Sequence, residues 1–466
     1  MKQTKPWLYV IFLAFIAAIG GFLFGYDTAV ISGTISDVTE QFGLNSLAQG
    51  WYVGCALIGS IIGVSIAGYL SDHIGRKKVM LISALLFSVS ALGCSLSPSF
   101  DILVFYRIIG GMGIGMVSIV SPIYISEVAF ENIRGGLVAL YQLAITIGFL
   151  GAYLMNFQLL NYSHSDVIFS SPQLQLIFQD EVWRAMLGME LLPAFLFLVS
   201  ILFIPESPRW LVIKNKSSRA EKVFSKIYNS IEIGKQKVKS VINFDQKSST
   251  SSMKLLLNPK VLKPIVLGVC IAILGQFMGV NVVLYYGPSI FEQAGLSGGD
   301  ALYYQVWVGL VNVLTTVLAL LIIDRLGRKK LVYFGVSGMI VSLLLISFYF
   351  RFSEAIGVGS IFLLVLFLFY VFSTAISISA VIFVLLSEMY PNLIRGIAMS
   401  VAGFSLWVGT YLVGQLTPWL LENIGPSGAF LLFALMCLPY LFIMWKYIPE
   451  TAGKTLEEIE DFWFED

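Results

Sequence analysis

The chain has 466 residues, 57% of them apolar and only 12% charged, against about 25% charged in soluble domains. So few polar groups cannot cover a water-soluble fold of this length, which leaves a polytopic membrane protein. The net charge of +1, from 29 basic and 28 acidic residues, gives no basis for nucleic-acid binding.

The N-terminus is short and basic (Lys2, Lys5) and runs straight into a long apolar stretch. No small-residue cleavage site follows a short core, so this reads as a first spanning helix and not a removable signal. Apolar stretches follow at about 7–31, 47–70, 79–97, 101–125, 136–158, 184–204, 264–290, 302–323, 331–350, 357–386, 397–420 and 427–447. Each is close to the roughly 20 residues that cross a bilayer. The expected fold is an all-α polytopic membrane protein with 12 transmembrane helices. An even number of spans puts both termini on one side. If that side is cytoplasmic, Arg184 and Arg351 alone fall outside, Arg107 lies within a span, and every other Lys and Arg is cytoplasmic. This is a strong positive-inside pattern. Cys55, Cys94, Cys270 and Cys437 each sit alone in an apolar stretch, and His73 and His164 are the only histidines. No metal site, disulfide framework or cofactor is expected.

The segment 205–263 is the one long polar stretch. Lys214, Lys216, Arg219, Lys222 and Lys226 alternate there with Ala220, Val223, Phe224 and Ile227, which predicts short amphipathic helices before a Ser-rich linker, Lys247 to Ser252. It divides a six-helix half, 1–204, from a second, 264–448, with a cytoplasmic tail at 449–466. The halves repeat. Asp72-His-Ile-Gly75-Arg76-Lys77-Lys78 after span 2 matches Asp324-Arg-Leu-Gly327-Arg328-Lys329-Lys330 after span 8. Glu127 precedes Arg134-Gly135 by the same distance as Glu388 precedes Arg395-Gly396, and Pro205-Glu206 matches Pro449-Glu450. Parallel six-span repeats imply a pseudo-two-fold axis along the membrane normal and a site between the halves, the architecture of transporters.

Asp27 lies near one end of span 1, and Arg107 lies about six residues into span 4, which starts on the same side. Their depths match, so they can pair. An intramembrane charge is costly unless paired and marks a functional site by default. Glu190 in span 6 is a further intramembrane acid, six residues from Arg184 and too far round a helix for an i,i+4 pair; it is a secondary proton-site candidate. The run Gly110-Gly111-Met112-Gly113-Ile114-Gly115 lies inside a span, so it reads as close helix packing and not as a nucleotide loop.

Several motifs resemble the sugar porter family of the major facilitator superfamily, over nearly the whole chain. They are Gly25-Tyr26-Asp27, the two Asp-x-x-Gly-Arg-Lys-Lys loops, Arg107-Ile-Ile-Gly-Gly-Met-Gly113, and Pro122-x-Tyr124-x-Ser126-Glu127. Pro205-Glu-Ser-Pro-Arg-Trp-Leu211, Gln276-x-x-Gly279-x-Asn281-x-x-x-Tyr285-Tyr286, Ser387-Glu388-Met-Tyr-Pro391 and Pro449-Glu-Thr-x-Gly-Lys-Thr-Leu456 complete the set. The pattern is similar to bacterial proton-coupled xylose and arabinose symporters, with animal glucose facilitators a step further away.

The resemblance implies proton coupling at Asp27 with Arg107, and import of a pentose or hexose by alternating access, driven by the proton gradient. It implies sugar contacts from Gln142, Gln276, Asn281, Asn312 and Trp407, with Tyr285 and Tyr286 above the site. Amides suit this task because each offers a donor and an acceptor to sugar hydroxyls. It further implies a cytoplasmic gate of Asp72, Arg76, Glu127, Arg134 and Glu206, repeated as Asp324, Arg328, Glu388, Arg395 and Glu450. Three departures bear on the sugar: Gly275 stands where the family has a second glutamine, Phe383 where span 10 has tryptophan, and Leu406 where pentose symporters often carry glutamine. Phe383 is kept as a pocket residue. The partners expected are a sugar, protons and the lipid bilayer, with no nucleic acid. The protein is expected to work as a monomer, in a bacterial inner membrane with both termini cytoplasmic. The alternatives are a uniporter, a polyol transporter or a membrane sugar sensor. An enzyme is not expected, since the spans hold no cluster of His, Cys or carboxylates.

Overall fold

The computed structural model describes residues 6–165, 171–247, 259–357, 359–390 and 395–452, with 454, 458–459 and 462–463 beyond them. Among the described residues there is no strand, and 12 helical segments are long and apolar enough to cross a membrane. Spans 1 to 6 are Trp7–Gly33, Ser46–Ile74, Arg76–Ser95, Phe100–Val128, Arg134–Ser163 and Val182–Leu202. Spans 7 to 12 are Leu262–Gln293, Gly298–Ile323, Arg328–Ser353, Ser360–Met389, Arg395–Asn423 and Gly425–Lys446. The expected twelve-helix, all-α membrane fold is therefore observed.

Many spans run to 29 or 30 residues. At about 1.5 Å per residue they exceed a hydrocarbon core of about 30 Å, so their ends carry polar side chains into the loops. Several spans are interrupted. Span 7 consists of Pro259–Phe277 and Val280–Gln293, and span 10 of Ser360–Ile376 and Ile378–Met389. Span 6 breaks between Val182–Gly188 and Leu191–Leu202. Pro193 explains that last break, because it cannot donate the amide that would continue the helix across Met189.

The chain packs as two units. The first comprises Met1–Thr28, Ile58–Ala152 and Arg184–Ser251. It holds spans 3, 4 and 6, most of spans 1, 2 and 5, and the expected amphipathic helices at Pro208–Ile213, Ser217–Tyr228 and Ile231–Lys247. These short helices close a small apolar core of Trp210, Leu211, Val212, Ala220, Phe224 and Val238. Ser207 starts the set by accepting a hydrogen bond from the Trp210 amide, with Pro208 in the first turn, where its missing N–H costs nothing. Most of the Ser-rich linker lies outside the described residues.

Glycines let spans of this unit touch backbone to backbone. A Cβ on Gly59, Gly63 or Gly115 would overlap a carbonyl of the neighbouring span, which explains the glycine run of span 4 as packing. Gly25 and Gly148 serve the contact of spans 1 and 5 in the same way.

The second unit comprises Ala29–Leu57, Tyr153–Trp183 and Ser252–Asp466. It holds spans 7 to 12 together with the end of span 1, the helix Ile35–Phe42, the start of span 2 and the end of span 5. Here Ser36 donates to Glu292 at 2.7 Å, Gln415 donates to the Leu47 carbonyl at 3.0 Å, and Tyr153 donates to the Leu284 carbonyl at 2.8 Å.

Candidate functional site

The first unit buries a charged cluster in its membrane-spanning part. Asp27 of span 1 is 0% exposed, and Arg107 of span 4 and Glu190 of span 6 are each 2% exposed. Arg107 Nη1 donates to Asp27 Oδ1. A Cβ at Gly110 would run into Ser90 Oγ and come within 3.6 Å of Asp27 Oδ2, so glycine keeps the space open. Glu190 is the residue that precedes the second helix of span 6, at the break made by Pro193. Its carboxyl lies within hydrogen-bonding reach of Asp27. Asp27 Oδ2 and Glu190 Oε1 are both buried with no hydrogen-bond partner among the described residues. Two carboxyl oxygens bond each other only through a proton. The arrangement therefore sets two buried acids against one buried cation.

Arg184 does not join this cluster. It is 7% exposed, and its Nη1 donates to the Ser97 carbonyl at 2.6 Å and the Ser95 carbonyl at 3.3 Å. It thus binds the carbonyl end of span 3, where a cation is favoured.

The second unit gathers amides around the break in span 7. Gly279 has φ +89°, a left-handed conformation that glycine adopts without strain, and it turns the chain between Gln276 and Asn281. Asn281 Nδ2 donates to Gln276 Oε1 at 2.7 Å, and Thr410 Oγ1 of span 11 lies 3.1 Å from the same oxygen. Tyr370 closes the break by donating to the Met278 carbonyl at 2.7 Å. Asn312 and Trp407 are buried in spans 8 and 11, and Tyr285 is buried in span 7. The Tyr286 hydroxyl donates to the Gly414 carbonyl at 2.6 Å. Phe383 differs from these residues, being 49% exposed. Gln142 is partly buried in span 5 and belongs to the first unit.

Two prolines explain further polar contacts. Pro418 cannot donate to the carbonyl of Gly414, which Tyr286 takes instead. Pro288 likewise frees the Leu284 carbonyl. Tyr153 donates to it, and Gln305 Nε2 spans the Val283 and Leu284 carbonyls at 3.1 and 3.3 Å. Gln305 and Thr410 were not singled out by sequence. For Gln305 the available signal is Pro288, four residues beyond a carbonyl that needs a donor; for Thr410, whose partner is the Gln276 side chain, there is none.

The paired loops form one network in each unit. In the first, Arg76 grips Glu127 with two hydrogen bonds of 3.1 Å and Asp72 with one of 3.0 Å. Ser207 Oγ also donates to Glu127. Glu206 accepts from the Lys77 amide at 3.0 Å and the Ser207 amide at 2.9 Å, capping the start of span 3. Gly75 has φ +105°, and a Cβ there would overlap the Glu206 carboxylate. In the second, Arg328 grips Glu388 at 3.1 and 2.9 Å, and Thr451 Oγ1 donates to Glu388 at 2.6 Å. Glu450 accepts from the amides of Arg328 and Lys329 at 3.0 Å each, capping span 9.

The two capping acids differ in balance. Burial raises the Glu206 carboxyl, opposed incompletely by the amides of Lys77, Ser207 and Arg76. Burial also raises Glu450, but the amides of Ala452, Lys329, Arg328 and Thr451 outweigh it and hold the carboxyl below its ordinary value. Arg395 donates to the Tyr390 carbonyl at 3.1 Å, whereas Arg134 is exposed. The side chain of Asp324 lies outside the described residues. Among the described residues no three His, Cys, Asp or Glu side chains come together to hold a metal ion.

Residues 13–463 match the family described as sugar (and other) transporters. The chain is 36% identical to the D-xylose-proton symporter of Escherichia coli (strain K12), over 98% of this chain and 96% of that protein. It is also 36% identical to the glucose transporter GlcP of Staphylococcus epidermidis (strain ATCC 12228 / FDA PCI 1200), over 99% of this chain and 97% of that one. The inward-open structure of the xylose transporter XylE from E. coli is similar, with a TM-score of 0.83 and 34% identity over 98% of this chain and 100% of that one.

Proposed function

From the premise that the chain belongs to the sugar transporter family of the major facilitator superfamily, and so is a transporter and not an enzyme, we propose that it imports a monosaccharide by proton symport. The observation that carries this reading is the buried Asp27–Arg107–Glu190 cluster. With both acids ionised the cluster carries one negative charge in a region that water does not solvate, which is expensive. One proton shared by the two carboxyls neutralises it. Moving that proton on and off from opposite sides of the membrane couples the gradient to transport.

In this reading the six-helix halves, 1–204 and 264–448, rock about a sugar site between them. Gln142 contributes from the first half, and Gln276, Asn281, Asn312 and Trp407 from the second, with Tyr285, Tyr286 and Phe383 as aromatic walls. Hydrogen bonding of Gln276 to Asn281 and Thr410 orients the amides before sugar arrives, which lowers the ordering cost of binding. Gly275, Leu406 and Phe383 make the wall less polar than in pentose symporters, so hexoses and less hydroxylated sugars belong in any substrate panel. The two loop networks brace the span ends of each half on the cytoplasmic side. Arg76 with Glu127 and Arg328 with Glu388 are largely buried pairs, so losing one partner strands the other charge and weakens the whole network. Both termini are cytoplasmic, the membrane is a bacterial inner membrane, the driving force is the proton gradient with no cofactor, and the working unit is the monomer.

The test is uptake into proteoliposomes against a panel of pentoses, hexoses and polyols, with and without an inside-alkaline pH gradient. Gradient-driven accumulation of one sugar is expected. Equilibration that ignores the gradient for every transported sugar would replace this reading with a uniporter.

A further inference from the structure

At the terminal end of the first unit, spans 1 and 6 and the helix Ser217–Tyr228 enclose an open hollow of about 320 Å³. Its floor is apolar: Phe203, Ile204 and Pro205 where span 6 ends, with Val223 from the short helix. Its rim holds Tyr9, Lys222 and Lys226. The two lysines are one helical turn apart on the same face, and like charges so placed repel each other. The opposite face of that helix is anchored by Ala220, Phe224 and Ile227, so the lysines are not free to turn away. Lys226 lies 4.4 Å above the Tyr9 ring, and among the described residues neither lysine has a carboxylate partner. Glu221, the nearest acid in sequence, is turned to Lys235.

We propose that this hollow binds an anionic phospholipid, the phosphodiester between Lys222 and Lys226 and the acyl chains along spans 1 and 6. Charge complementarity supplies the headgroup argument. The chain argument is separate: the faces that run from the hollow into the membrane are apolar and exposed, with Leu8 and Phe12 on span 1 and Phe195 and Phe203 on span 6. A free phosphate would use the lysines and leave those faces idle. A neighbouring hollow of about 550 Å³, lined by Trp7, Phe130 and Tyr228, does not offer the same chemistry. Its lysine, Lys237, is already neutralised by Glu131 at 2.8 Å.

The test uses full-length protein, stripped of lipid in detergent, with its thermal unfolding followed by tryptophan fluorescence. The probes are dioctanoyl phosphatidylglycerol, dioctanoyl phosphatidylcholine and inorganic phosphate. Phosphatidylglycerol should raise the midpoint saturably, and the two other probes should not. Lys222→Gln with Lys226→Gln should raise the half-saturating concentration about 25-fold, since each cation near an anionic headgroup is worth about a factor of five. Lys222→Arg with Lys226→Arg should keep the wild-type response and show that the site tolerates substitution. Lys235→Gln with Lys239→Gln, an equally spaced pair on the next helix, should also keep it. The proposal is overturned if phosphatidylcholine or phosphate matches phosphatidylglycerol, if the Lys222/Lys226 glutamine pair responds like wild type, or if the Lys235/Lys239 pair loses as much. No transport is measured, so this outcome and that of the symport reading are independent.

Discussion

Asp27→Asn tests the charge cluster, and the structure gives two separate magnitudes. The first concerns coupling. One pH unit across the membrane is worth about 1.36 kcal/mol per proton, so one proton per sugar sustains about a tenfold concentration ratio per pH unit. Asparagine cannot carry the proton. The variant should exchange sugar across proteoliposomes while its accumulation ratio falls to about one at any gradient. The second concerns stability. Removing one partner of a buried ion pair usually costs about 3–5 kcal/mol, because the other charge is stranded. Here Glu190 already faces Asp27 beside Arg107, so it takes over as counter-ion and cushions the loss. Asp27→Asn with Glu190→Gln leaves Arg107 without an acid and should bear the full penalty. Thermal unfolding of the wild type, both single variants and the double variant forms the cycle. Accumulation by Asp27→Asn at the wild-type ratio would falsify the coupling argument. A double variant as stable as Asp27→Asn would refute the cushioning.

Three more expectations follow from the same structure. Gln305→Leu takes a shared donor from the carbonyls of Val283 and Leu284, the latter still served by Tyr153, and should cost about 0.5–1.5 kcal/mol, read as a lower unfolding midpoint in detergent. Thr410→Val removes a hydroxyl from Gln276 Oε1 and should weaken sugar binding several-fold in a binding titration, with the unfolding midpoint little changed. The two capping acids should give opposite pH trends in unfolding. Glu450 is held low when folded, so its stabilisation is complete above its ordinary value of about 4.5 and disappears as pH falls through the lower folded value. Glu206 is held high, so its contribution is complete below about 4.5 and is lost as pH rises through the raised folded value. Glu450→Gln should therefore remove acid sensitivity, and Glu206→Gln should remove a loss of stability on the alkaline side. Matching pH profiles for the two variants would contradict the amide balance.

The spans were legible because membrane helices announce themselves by composition alone. The loop repeats were legible because identical tasks at two span junctions use identical residues: Gly75 and Gly327 both adopt positive φ, and Glu206 and Glu450 both cap a helix. The contact of Asp27 with Arg107 followed from depth, since helical rise converts sequence position into height in the bilayer. Depth says nothing about which way a side chain faces round its helix, and so Glu190 could be marked as costly but not placed beside Asp27. Arg184 read as a charge at a helix end, but its partners at the end of span 3 could not be named, because carbonyl partners carry no side-chain signature. Gln305 and Thr410 were hidden for a related reason. Their partners are set by the crossing of distant helices, and no local spacing reports that.

The prolines of spans 7 and 11 have a consequence for inheritance. Pro418 and Tyr286 lie far apart in the chain, yet the ring removes a donor that the hydroxyl replaces. Pro288 stands in the same relation to Tyr153 and Gln305. Each group amounts to one character written at separate positions. Losing the donor alone orphans a carbonyl, and losing the proline alone leaves a buried polar group competing with a restored backbone amide. Descendants of this sequence should therefore keep or discard the members together, and an alignment deep enough to show covariation should pair Pro418 with Tyr286 ahead of its neighbours in span 11.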